Sequence, residues 1–175
     1  NRWVDSIYNN LDLEEKIGQL ITVWVATQYG EDEIKHISKL IEDYKLGGLI
    51  FSLGDIKSQA KAINKFQKQS KVPLLISMDA EWGIGMRLDD AFSFPYNMTL
   101  GAIENDSLIY QVGKRIGFHA KRLGVQINFA PVVDINTNPA NPIIGFRSFG
   151  EDKYNVSNKA LNYLKGMHHH GIMGA

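Results

Sequence analysis

Hydrophobic residues follow two alternating patterns along this chain. In the first they form short continuous runs, at residues 18–26 (GQLITVWVA), 49–51, 74–78, 125–130 and 171–175. Runs of this length bounded by turn residues suit strands buried on both faces, as in a parallel sheet. In the second pattern apolar residues recur every three or four positions. Between residues 31 and 44 they are Ile34, Ile37, Leu40, Ile41 and Tyr44, and Gly47-Gly48 follow as a stop signal. The same helical spacing returns over 55–70, 106–123 and 152–170. Near the start, Asp12 with Glu15 three residues on reads as a capping box that opens a short helix.

Strand and helix therefore alternate, which predicts a parallel sheet with right-handed crossovers, either a barrel or an open doubly wound sheet. No glycine-rich phosphate loop follows the first strand, which disfavours the open nucleotide-binding form. The long loops follow strands three and four, on the face where barrel enzymes carry their chemistry. The predicted fold is α/β, the N-terminal half of a (β/α)8 TIM barrel occupying residues 1–175. A complete barrel takes about 250 residues, so the remainder is expected to lie outside this chain. Open strand edges and uncovered apolar residues around Ile21, Val23, Ile172 and Met173 predict self-association of the isolated chain.

Composition narrows the chemistry. The chain is 44% hydrophobic and 22% charged, enough to bury a core. Nineteen basic and nineteen acidic residues cancel, so no field recruits nucleic acid or an anionic membrane, and a neutral ligand fits best. There are no cysteines, which excludes disulfides, thiol catalysis and thiolate metal sites. No run reaches the roughly 18 apolar residues of a membrane span. Asn1-Arg2-Trp3 opens no signal-peptide core, although a leader removed earlier leaves the compartment open. His168-His169-His170 are successive helical residues that point in different directions and cannot all ligate one ion. They suit the C-terminal end of a helix, where the macrodipole favours cations. No metal or cofactor is expected.

Two segments carry candidate chemistry. In residues 77–87 (SMDAEWGIGMR), Asp79 stands at a strand's end and is followed by Glu81, Trp82, two glycines and Arg87. Carboxylate acceptors, a stacking face and a guanidinium fork together suit one sugar ring. The plainer alternative is that Asp79 caps a turn and Trp82 fills a gap. In the second segment, Asp134 follows the fourth strand, and Arg147 sits in a loop stiffened by Pro139 and Pro142. Arg147 is placed to hold a ligand oxygen, or to pin Asp134 or Glu151 in an internal salt bridge.

The stretches LLISMDAEWGIGMRL, FPYNMTLGAI, RLGVQINFAPVVDINTNP and FRSFGEDKYNV, in this order, resemble the barrel domain of glycoside hydrolase family 3. The likeness is to the β-N-acetylglucosaminidase branch in particular. It implies that Asp79, Arg87 and Arg147 bind the non-reducing sugar, with Asp134, Glu81 and Trp82 in support. It implies a retaining, exo-acting mechanism whose nucleophile and acid/base lie outside this chain, so no catalytic residue is assigned within it. The implied partner is a saccharide or glycoconjugate, cell-wall material included; a bacterial envelope or extracytoplasmic setting is the leaning for the open compartment, with the cytoplasm as the alternative. β-Glucoside hydrolysis and a non-catalytic sugar-binding barrel are the alternatives.

Overall fold

The computed structural model describes residues 2–175, which form two compact units that divide after Ser77. The first contains α1 (Arg2–Asn9), α2 (Leu13–Gly18), β1 (Thr22–Val25), α3 (Glu31–Tyr44), β2 (Gly48–Phe51), α4 (Ile56–Gln69) and most of β3 (Leu75–Met78). The capping box is present: Asp12 accepts from the Glu15 amide and the Glu15 side chain accepts from the Asp12 amide. β1 and β2 are parallel, Thr22 opposite Gly48, and the Leu75 amide donates to the Gly47 carbonyl at 2.9 Å. The core of this unit holds Ile37, Ile41, Leu49, Phe51, Phe66 and Ile76, all at most 1% exposed.

The first strand corrects the sequence reading of 18–26. Gly18 and Gln19 end the capped helix, and the Ile21 amide turns back to the Gly18 carbonyl, so only four residues extend. Gly18 is needed for packing: a Cβ there would lie 1.8 Å from the Tyr44 carbonyl oxygen. Nor is β1 buried on both faces, since side chains alternate along a strand and Trp24 stays 44% exposed beside Tyr29. The stop after α3 differs as well. Lys45, not a glycine, takes the left-handed cap conformation at φ 50°, and Gly47 is held instead by its close approach to the Gln19 carbonyl.

The second unit contains α5 (Asn97–Gly101), α6 (Asp106–Leu123), β4 (Ile127–Asn128), α7 (Lys153–His168) and β5 (Met173–Gly174). β4 and β5 pair in parallel, and the Phe129 amide donates to the carbonyl of Met78 at 2.9 Å. The strand expected over 125–130 is thus two residues long before the chain reaches a cis Ala130–Pro131 peptide. Helices α6 and α7 are the main packed pair. Their backbones touch through glycine: a Cβ on Gly113 would sit 2.1 Å from the Tyr163 carbonyl, and one on Gly166 2.3 Å from the Tyr110 carbonyl. Lys159 is buried, is neutralised by Asp106 at 2.5 Å and donates to the Ile103 carbonyl. Met173 is exposed as expected, but Ile172, the residue before β5, is buried at 3%.

Candidate functional site

The candidate site lies wholly in the second unit, where the chain leaves β3. Ala80 is gripped at both backbone groups by one side chain: its amide donates to Asn128 Oδ1 at 2.9 Å, and its carbonyl accepts from Asn128 Nδ2 at 3.1 Å. Asn128 is 1% exposed on β4, so the clamp cannot be replaced by water. One residue on, the Glu81 carbonyl accepts from the hydroxyl of Tyr163 at 2.9 Å. Tyr163 is fully buried in α7, and burial pushes its phenol well above the ordinary value, so it stays a donor. The carboxylates that flank Ala80 therefore hang from a fixed backbone.

Each carboxylate meets one arginine. Arg87 Nη2 donates to Asp79 Oδ2 at 2.9 Å and its Nε donates to the Asp79 carbonyl at 3.0 Å. The positive φ of Gly83, 94°, and a hydrogen bond from the Phe94 amide to the Trp82 carbonyl at 2.8 Å shape the loop that brings Arg87 back. Arg147 forks onto Glu81, with Nη2 at 2.7 Å from Oε1 and Nε at 3.1 Å from both carboxylate oxygens. The Glu81 side chain is 4% exposed and that of Arg147 31%. Hydrogen bonding to Glu81 is the largest cause raising the Arg147 pKa, and the charges of Glu81, Asp134 and Asp79 add to it against the opposing effect of burial. Arg147 thus stands in the field of all three carboxylates.

The geometry revises one of the sequence expectations. The salt bridge of Arg147 is to Glu81, not to Asp134 or Glu151, because the loop before α7 lays its short 3-10 turn (Gly145–Arg147) over the end of β3. Asp134 contributes its carbonyl, which accepts from Ser148 Oγ at 2.5 Å and ties the two ends of that loop together. Asn97 was not singled out from the sequence. It is 1% exposed at the start of α5, and its amide donates to the Arg147 carbonyl at 2.8 Å. A polar residue inside an apolar strand run was the available signal for Asn128. Nothing local marks Asn97.

Above this polar floor lie three touching rings. Trp82 meets Tyr96 edge to face at 4.7 Å between centroids, and Tyr96 meets Phe146 at 4.5 Å. Two acid–arginine pairs with aromatic rings beside them offer acceptors, donors and a ring face, the groups that distinguish a polyhydroxylated ring from an anion or an apolar ligand. Among the described residues no group of three or more His, Cys, Asp or Glu is placed to hold a metal, and no helix is long and apolar enough to cross a membrane.

Comparison with known proteins agrees with this picture. The profile of the Glycosyl hydrolase family 3 N terminal domain matches residues 12–175. Beta-hexosaminidase A of Pseudoalteromonas piscicida is 34% identical over 152 residues, which is 79% of this chain and 25% of that protein. Beta-N-acetylglucosaminidase/beta-glucosidase of Cellulomonas fimi is 29% identical over 170 residues, 97% of this chain and 29% of that protein. Among solved structures, a glycoside hydrolase family 3 beta-N-acetylglucosaminidase from Paenibacillus sp. str. FPU-7 superposes with a TM-score of 0.83 at 34% identity, covering 94% of this chain and 32% of that one. Beta-glucoside phosphorylase BglX bound to 2FGlc gives a TM-score of 0.91 at 26% identity, covering 99% of this chain and 31% of that one. The chain spans between a quarter and a third of the length of these relatives.

Proposed function

The chain belongs to glycosyl hydrolase family 3, and from that membership we propose that the protein containing it is an exo-acting glycosidase that removes β-linked N-acetylglucosamine from saccharides or glycoconjugates. The observation that carries the reading is the pair of acid–arginine units on one clamped backbone, Asp79 with Arg87 and Glu81 with Arg147. Asp79, 40% exposed at its side chain, accepts from sugar hydroxyls, while Arg87 orients it and Arg87 and Arg147 donate to ligand oxygens. Asp134 and Glu81 keep the loop and the arginine in place. Hydrolysis proceeds with retention: a carboxylate attacks the anomeric carbon, the glycosyl–enzyme ester forms as the leaving oxygen is protonated, and water then cleaves that ester. Nucleophile and acid/base come from the rest of the protein, so this chain supplies binding and orientation.

A second reading, cleavage of β-glucosides, is favoured by the double name of the Cellulomonas fimi relative. The test uses the full-length protein with the p-nitrophenyl β-glycosides of N-acetylglucosamine and of glucose. We expect kcat/KM to favour the first by at least about tenfold, the discrimination that one well-placed contact to an added group supplies. The reverse ratio selects the glucosidase reading. Binding of both sugars without turnover of either glycoside leaves a non-catalytic sugar-binding barrel and refutes the enzyme.

The 175-residue chain expressed alone is expected to self-associate, because Leu20, Ile21 and Trp24 around β1 and Met173 on β5 present apolar surface to water. Light scattering should report a mass above the 19.7 kDa of one chain; a stable monomer at that mass contradicts the expectation.

A further inference from the structure

The equal totals of acidic and basic residues conceal a local imbalance. Residues 107–133 and 153–175, which include α6 after its first residue and all of α7, contain no aspartate or glutamate. On α6, Gln111, Lys114, Arg115, Phe118, Lys121 and Arg122 recur at helical spacing and form one stripe, opposite the face that buries Ile109, Ile116, Ala120 and Leu123. Histidines after α7 join it: the His170 ring lies 5.6 Å from that of Phe118 and 5.0 Å from that of His169. Gln111, Lys114, Arg115, Phe118 and His170 line a recess of about 280 Å³. Burial, and after it the like charges of His169, Lys121 and Lys114, hold the His170 imidazole below its ordinary value, so these cations share one neighbourhood. None of Lys114, Arg115, Lys121 and Arg122 forms an ion pair with a described residue. Like charges gathered on one helix face lower its stability, and the fold gains nothing from them. Such groups stay in water or, wherever they are covered, meet an anion, and the two helices supply none beside them.

We propose that this stripe of α6, with His170 beside it, docks an acidic polysaccharide whose repeating sugars carry carboxylates, the polymer from which the terminal sugar is removed. This rests on the glycosidase reading and deepens it, since it names the charge of the substrate polymer. Charge complementarity carries the inference: guanidinium forks and ammonium groups spaced along a helix match carboxylates spaced along a chain. Phe118, with the Arg115 guanidinium 5.2 Å from its ring centroid, adds one face for the C–H groups of a pyranose. A membrane surface would need several apolar side chains among the cations, and a single-stranded nucleic acid a succession of stacking rings. The stripe offers one ring. The docking face is also separate from the acid–arginine pairs, since none of its four cations pairs with Asp79 or Glu81. A polymer held there by many weak contacts keeps its chain ends concentrated near the site while they exchange.

The test measures binding of alginate, a polyuronate, to the full-length protein, with turnover of the p-nitrophenyl glycoside read on the same samples. The parent is expected to bind alginate at low salt, to release it at about 0.5 M salt, and not to bind neutral dextran. The quadruple variant Lys114→Gln, Arg115→Gln, Lys121→Gln, Arg122→Gln should bind at least about tenfold more weakly, the combined effect of four exposed charge contacts, with kcat/KM within about twofold of the parent. A control on α4, Lys57→Gln, Lys61→Gln, Lys65→Gln, Lys68→Gln, removes as many charges and should change binding by less than about twofold. The pair Lys121→Gln, Arg122→Gln, expected to weaken binding about threefold, decides the matter if the quadruple variant does not fold. No binding by the parent, or equal weakening in the two quadruple variants, overturns the docking face and leaves the glycosidase reading standing. Tighter binding of duplex DNA or of phosphatidylglycerol vesicles than of alginate also overturns it. A parent that cleaves no glycoside overturns the glycosidase reading, and with it the assignment of the bound polymer as substrate.

Discussion

Glu81→Ala in the full-length protein is expected to lower unfolding free energy by about 2–3 kcal/mol and kcat/KM by about 100-fold. The stability loss follows from Arg147, which is left with its charge and only the distant carboxylates of Asp134 and Asp79. Breaking one side of a buried pair costs about 3–5 kcal/mol, and the lower figure applies because the arginine keeps 31% of its side chain in solvent. The activity loss is larger than any direct contact of Glu81 explains, since the carboxylate is 4% exposed and acts by holding Arg147. Replacing both partners, as in the Glu81→Met, Arg147→Met double variant, removes the stranded charge and should regain most of the stability without regaining activity. Urea titration monitored by fluorescence, with kinetics on the same samples, reads both quantities. An unchanged midpoint in Glu81→Ala shows that the pair does not hold the loop.

Asp79→Asn should do the opposite, sparing stability while removing catalysis. Its side chain is 40% exposed and its ion pair with Arg87 is partly solvated, so the stability change is expected below about 1 kcal/mol. Each charge-assisted hydrogen bond from a sugar hydroxyl is worth about 1.5–3 kcal/mol. Loss of two such bonds predicts a fall in kcat/KM of about 150- to 25,000-fold at 1.36 kcal/mol per decade. Asparagine keeps the shape and one acceptor, so the loss measures charge. A fall of less than about threefold removes Asp79 from the sugar-binding set and leaves it the turn-capping role that the sequence also allowed.

The contrast between Asp79 and Glu81 shows what the sequence could convey. Helices with a strong period and a capping residue were readable to their ends: α3 and α6 have the bounds their apolar spacing predicts, and Asp12, Asp55 and Asp152 cap as local hydrogen-bonding residues should. The strands were readable as apolar runs but not in length. In a strand, extent depends on which partner lies alongside, and that is decided by segments dozens of residues away. The same limit governs the site. Asp79 and Arg87 lie eight residues apart, and their pairing could be guessed from one loop. Glu81 and Arg147 lie 66 apart, so sequence reasoning offered Arg147 nearer acids and missed the one it binds. Asn128 and Tyr163 act on the backbone of residues 80 and 81 from strand and helix, a form of control that leaves no motif.

The glycines between α6 and α7 acquire a consequence from this arrangement. The atom that a methyl on Gly113 would strike belongs to Tyr163, the residue whose hydroxyl steadies the Glu81 carbonyl. The separation of these two helices therefore sets how far that phenol reaches, and through it where the acid that holds Arg147 comes to rest. A missing carbon atom at position 113 helps to aim a guanidinium 34 residues further along the chain, so the alignment of the site is written partly in helix packing.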